Sequence, residues 1–127
     1  MKVWNLKFSS LNKTDDIFDF LVSGEKTVET RSRNPNDGES DYANVKPGDV
    51  LHFKSLDTGK EIEKIVVSNH VYNSVEDLVE NENVEKILPG IGSKENYLKQ
   101  FEEVKNKFGE KYKYEVENYG MVAISFK

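Results

Sequence analysis

The residues Gly24-Glu25-Lys26-Thr27-Val28-Glu29-Thr30-Arg31 gather a lysine, a glutamate and an arginine within a short window. Two cations with a carboxylate between them suit a polar pocket. Lys26 and Arg31 would receive a phosphate or carbonyl oxygen, while Glu29 holds them or accepts a base amino group. A carboxylate so placed stays ionised. Read as catalysis, the least strained chemistry has Lys26 polarise or attack a carbonyl while Glu29 moves the proton. Read as structure, the same set is an ion-paired corner, for which Glu29 and Arg31 suffice. The chain has only two arginines, Arg31 and Arg33, and both fall here, whereas lysines are scattered along its length. A planar guanidinium fits phosphates, carboxylates and base edges, a geometry that surface charge alone does not require.

The elements that must position these groups can be read from periodicity. Val3–Phe8 alternates as a half-buried strand, and Thr14 then stands as an N-cap before Asp15 and Asp16. Ile17, Phe18 and Leu21 follow at helical spacing, and Gly24 is placed to stop that helix in a left-handed conformation. A strand over residues 27–33 would put Thr27, Glu29, Arg31 and Arg33 on one face, and Val28 and Thr30 on the other. The polar stretch 34–48, with Pro35, Gly38 and Pro47, predicts a long loop of the kind that covers sites.

Strands are expected over 50–54 and Glu61–Tyr72, joined around Thr58-Gly59. Ser74 and Asp77 form a capping pair for a short helix whose acidic run Glu76, Asp77, Glu80, Glu82 and Glu85 reads as a solvated face. Beyond Leu88-Pro89-Gly90, a helix over about 93–108 carries Tyr97, Phe101, Val104 and Phe108 as one apolar stripe, ended by Gly109. A final strand spans 119–126. About five strands with interspersed helices, and no regular strand-helix-strand repeat, indicate a mixed α+β domain with a curved or barrel-like sheet.

At 127 residues the chain is expected to form one domain, residues 1–127. Charged residues at 32% and hydrophobic ones at 36% describe a well-solvated globular protein. No apolar run approaches the ~20 residues that span a bilayer, and the amino terminus alternates in polarity, so a cytoplasmic protein without membrane contact is expected. The absence of cysteine excludes disulfides and thiolate zinc sites. A net charge of -5 opposes bulk attraction to nucleic acid, so any such binding must come from a local patch.

Among the aromatics, Trp4 reads as core, Tyr42 as a stacking candidate, and Tyr72 and Tyr119 as residues at strand ends where a barrel cleft would open. His52 and His70 lie on separate strands without ligand spacing, so no metal and no cofactor is predicted. Lys105, Lys107, Lys111 and Lys113 are interleaved with Glu102, Glu103 and Glu110 and read as solvated surface.

Gly24, Lys26, Glu29 and Arg31, at the spacing G-x-K-x-x-E-x-R, resemble the signature of the ASCH family, whose fold is PUA-like. Gly48-Asp49 before a strand, Tyr72-x-Ser74 before a helix, Ile87-Leu88-Pro89-Gly90 and Tyr119-Gly120 extend the resemblance over nearly the whole chain. It implies a small β-barrel of about five to six strands, with a cleft beside the motif that binds RNA or a modified nucleoside. The ligand-binding set so implied is Gly24, Lys26, Glu29, Arg31, Arg33, Tyr72 and Tyr119. Some small bacterial members are amidohydrolases acting on acetylated cytidine, and some are ribonucleases. Lys26 occupies the position of the amidohydrolases' central lysine, but Glu29 stands where those members have Thr. Their third element, an acid beyond the central strands, is open among Glu76, Glu80, Glu82 and Glu85. Binding is therefore the leading expectation; hydrolysis with Lys26 and Glu29 as catalytic residues is the alternative, and a non-catalytic protein-interaction module is a third.

Overall fold

The computed structural model describes residues 1–9 and 16–127, so the expected N-cap Thr14 and its neighbour Asp15 lie outside the described residues. The elements are β1 (Val3–Phe8), α1 (Asp16–Ser23), β2 (Val28–Ser32), two 3-10 turns (Pro35–Ser40 and Tyr42–Asn44), β3 (Val50–Ser55), β4 (Glu61–Tyr72), α2 (Val75–Asn81), α3 (Val84–Ile87), α4 (Lys94–Lys107), α5 (Glu110–Tyr119) and β5 (Met121–Phe126). The strands form one sheet in the order β1-β3-β4-β5-β2. β1 runs parallel to β3, and the other pairs are antiparallel.

β4 shapes the domain. Its first half pairs with β3 and its second with β5, and the register shifts between Val66 and Ser68 where one gives way to the other. An extra residue on one strand bends it and increases its twist. The five-stranded sheet accordingly curls into a half-barrel within a mixed α+β domain, as the element pattern predicts. β1 and β2 remain its edges.

Both faces of the sheet are covered. Trp4, Leu6, Leu21, Leu51, Phe53 and Phe126 belong to one core cluster; Leu78, Val79, Ile87, Tyr97, Phe101 and Val116 belong to another, contributed largely by helices. β5 divides between them, with Met121 and Ala123 in the helical cluster and Val122, Ile124 and Phe126 in the other. A strand buried on both sides has no polar face, which is why Met121-Val122-Ala123-Ile124 is continuously apolar. Ser74 and Ser93 cap α2 and α4 by accepting from Asp77 N and Asn96 N. No helix among the described residues is long and apolar enough to cross a membrane.

Three expectations need correction. The last strand begins at Met121, and Tyr119 instead ends α5, a helix the sequence reading left unassigned. Tyr112, Val116 and Tyr119 do recur at helical spacing, but only Val116 is buried, so the periodic signal rests on amphipathic tyrosines. The motif strand ends at Ser32, leaving Arg33 in the following loop. That loop, 34–48, is tied down from within. Asp41 accepts from Asn34 N at 3.2 Å, Ala43 N at 3.1 Å and Arg33 Nη2 at 2.9 Å, while Asn69 Nδ2 donates to Tyr42 O and Val45 O at 3.0 Å each.

Candidate functional site

Gly24, at φ 82°, turns the chain out of α1, and the corner beyond it is pinned on two sides. Lys26 N donates to Phe20 O at 3.1 Å, and Thr27 N donates to Lys86 O at 3.0 Å. β2 follows, paired on one side only, with β5. An edge strand presents backbone groups without a ladder partner. Here two side chains of the motif meet them. Lys26 Nζ donates to Val28 O at 2.7 Å, and Glu29 Oε1 accepts from Thr30 N at 3.1 Å.

The three charged groups of the motif form one network. Lys26 is buried, 5% exposed, and its ammonium also donates to Ile87 O at 2.6 Å and lies 3.4 Å from Glu29 Oε1. Glu29 Oε2 accepts from Arg31 Nη2 at 3.2 Å. The same Nη2 donates to Lys7 O at 3.2 Å, so the guanidinium bridges the two edge strands across the open side of the half-barrel. Its Cζ lies 5.8 Å from the centre of the Tyr42 ring. Burial lowers the proton affinity of Lys26, opposed by Glu29 and reinforced by Arg31. For Glu29 burial acts upward, but Lys26, Arg31 and the hydrogen bonds from Thr30 and Arg31 hold its pKa below the ordinary 4.5. The carboxylate is ionised at neutral pH.

A cleft of about 710 Å³ opens beside this network. Lys26, Glu29, Thr30 and Arg31 line it, as does the loop 88–91. The stripe Tyr97, Phe101, Val104 and Phe108 lines it too, joined by Phe8 and by Tyr112 of α5. Tyr97 and Phe101 are buried while Phe108 is exposed, so the stripe serves the core at one end and the cleft at the other. Burial pushes the hydroxyls of Tyr97 and Tyr112 up to about 12. Both are therefore neutral at physiological pH, able to donate and to accept.

The loop wall has its own support. Glu85 accepts from Gly90 N at 2.8 Å and from Gly92 N at 2.7 Å, and these bonds hold its pKa below the ordinary carboxylate value. Lys26 holds the start of the same segment through Ile87 O.

The structure thus brings Lys26, Glu29 and Arg31 together and adds Thr30, which strand alternation placed on the opposite face. The cleft lies beside an edge strand, so side chains from both faces reach it. Gly24, Arg33, Tyr72 and Tyr119 do not line it. Arg33 pairs with Asp41 at 2.9 Å in the loop. The Tyr72 hydroxyl donates to Glu82, which also approaches His70 Nδ1 at 3.5 Å. The Tyr119 hydroxyl accepts from Asn36 Nδ2 at 3.3 Å. None of the acids Glu76, Glu80, Glu82 and Glu85, and no residue of the loop 34–48, lines the cleft. Trp4 is buried, with Nε1 donating to Asp49 at 3.1 Å. Lys105 pairs with Glu102 at 3.0 Å and Glu117 at 3.6 Å. Among the described residues no group of His, Cys, Asp and Glu side chains is arranged to hold a metal ion.

The apolar stripe already contained Tyr97, but as core. Tyr112 was beyond reach of the sequence reading because its helix was unassigned; its spacing from Val116 was the available signal.

Fold and site together define a small α+β domain with a curled sheet and a cleft at one edge strand. No protein-family model matches the chain, and no curated protein does. Among solved structures, the crystal structure of hypothetical protein PH0355 is similar over 98% of this chain and 97% of its own, at 24% identity and a TM-score of 0.68. The solution structure of protein PF0455 from Pyrococcus furiosus is similar over 98% of this chain and 96% of its own, at 23% identity and a TM-score of 0.63. The likeness is one of fold, and function must be argued from the site.

Proposed function

We propose that this chain is an ASCH-type, PUA-like domain acting in the cytoplasm, and that its cleft holds a nucleotide of single-stranded RNA or a modified nucleoside. One observation carries the reading: the polar Lys26-Glu29-Arg31 network and the aromatic side chains of Phe8, Phe108 and Tyr112 line the same cleft. Aromatic rings stack on bases, and the guanidinium and carboxylate offer the donors and acceptors that read a base edge or receive a phosphate. A volume of about 710 Å³ is in the range of small-molecule sites. Arg31 brings a guanidinium to the cleft of a chain whose net charge is -5, which favours a small anionic or neutral ligand over a long duplex.

Hydrolysis is the second reading, favoured by the lowered proton affinity of Lys26 next to a carboxylate. Against it, the ammonium already faces Val28 O, Ile87 O and Glu29, leaving no donor directed at a substrate. Incubating the protein with acetylated cytidine and with short single-stranded RNA, while following both binding and products, separates the two readings. Under the binding reading both substrates remain intact, at least one binds, and Arg31→Ala weakens it by about tenfold or more. Released acetate or cut chains that vanish in a Lys26→Ala control would replace binding by catalysis. Absence of both binding and turnover would overturn the nucleic-acid reading.

A further inference from the structure

The cleft continues past Gly90 and Ile91. A second, more open hollow of about 290 Å³ shares those two residues and Gln100 with it and extends over Asn96, Lys99 and Glu103. The chemistry changes at the junction. Past the shared Gly90, Ile91 and Gln100 the hollow is lined by Asn96, Lys99 and Glu103 and has no aromatic ring, whereas the main cleft combines aromatic rings with the Lys26-Glu29-Arg31 network. Gly90 has φ +90°, and a Cβ built there would meet nothing within 4 Å, so at Gly90 the boundary shared with Ile91 and Gln100 is bare backbone facing open space. Lys99 is exposed and makes no ion pair among the described residues.

On the reading that the main cleft takes a nucleoside unit, we propose that the ligand is a single-stranded ribonucleotide segment of at least two units, whose linking phosphate crosses Gly90 to reach Lys99. An aromatic compartment followed by a polar one matches a base followed by its sugar and phosphate. Gln100 supplies an amide for a ribose hydroxyl or a phosphate oxygen, and Asn96, whose Nδ2 already donates to Ile91 O at 3.1 Å, keeps its Oδ1 and one N–H for the ligand. Glu103 accepts from a hydroxyl but repels a further phosphate, so the hollow suits a single linkage instead of a long polyanion. The missing side chain at Gly90 lets a backbone pass close to the ridge.

The test is calorimetric titration with the four ribonucleosides, their 3′-monophosphates and the matching homodinucleotides, on the wild type and on Lys99→Ala. The dinucleotide should bind about tenfold more tightly than its nucleoside, and Lys99→Ala should remove that gain. One phosphate contact predicts a log-log salt slope near -0.7 for the wild-type dinucleotide, flattened in the variant. Equal affinities for nucleoside and dinucleotide, or a gain that survives Lys99→Ala, would overturn this inference. Nucleoside binding that requires Arg31 would in that case leave the cleft reading standing. No binding of any of these probes would remove both.

Discussion

Replacing Lys26 by Met tests whether the motif holds the fold as well as facing the cleft. Methionine retains the length of the side chain but removes the ammonium. Val28 O and Ile87 O would then lose donors at 2.7 and 2.6 Å, and Glu29 would keep only Arg31 as a charged partner. Breaking a buried ion pair from one side costs about 3 to 5 kcal/mol. The remaining Arg31 contact at 3.2 Å argues for the lower end, about 3 kcal/mol. In a domain of this size that is a fall in Tm of roughly 10 to 15 °C. Urea denaturation followed by the fluorescence of Trp4, buried and distant in sequence from the change, gives the free energy directly. Adding Glu29→Gln removes the underpaired charge, so Lys26→Met/Glu29→Gln should be more stable than Lys26→Met by about 1 kcal/mol or more. A loss below about 1 kcal/mol in the single variant, or no recovery in the double, would refute the view that Lys26 anchors this corner.

Two glycines with similar positive φ should respond very differently to substitution. At Gly120, φ +89°, a Cβ would meet Tyr72 O at 2.2 Å, whereas at Gly24, φ +82°, it would meet nothing within 4 Å. Gly24→Ala should cost about 1 kcal/mol from left-handed strain, and Gly120→Ala clearly more than about 3 kcal/mol, measured by the same denaturation; equal losses would contradict the close approach. Acid stability should depend on Asp49, which accepts from Lys2 N at 3.0 Å, Trp4 Nε1 at 3.1 Å and Lys46 N at 3.0 Å. Burial acts upward on its carboxyl, but those bonds, led by Lys46, hold its pKa below the ordinary 3.8. With the folded value depressed, its stabilisation is present above 3.8 and disappears as pH falls through the folded pKa. Asp49→Asn should therefore cost about 2 kcal/mol at pH 7 and flatten the acid limb of the stability curve. An unchanged limb would assign acid unfolding to other carboxylates.

The elements with strong local signals were legible in the sequence. β1 and the end of α1 follow from polarity alternation and from Gly24, α2 from its Ser74 cap, and α4 from its apolar stripe and the glycine that follows it. Placing Glu29 and Arg31 on one strand face also needed only the two-residue period, and the two side chains do meet. α5 escaped because its apolar content is mostly tyrosine, which suits a wet surface and a half-buried helix alike.

Residue type and spacing alone determined that Glu29 and Arg31 would meet on one strand face, because they lie two residues apart and an extended chain fixes their directions; Lys26 joins them through the corner that precedes β2. Only the tertiary structure decided what that network touches. The order β1-β3-β4-β5-β2 leaves β2 at an edge, the bulge in β4 curls the sheet until Arg31 reaches Lys7 O of β1, and α3 delivers Ile87 O to Lys26 from 61 residues away. The same long-range packing kept Tyr72, Tyr119 and Arg33 out of the cleft and brought Tyr97 and Tyr112 into it. Local periodicity carries no information about which element lies across an open edge, since that is set by burying apolar faces contributed by the whole chain.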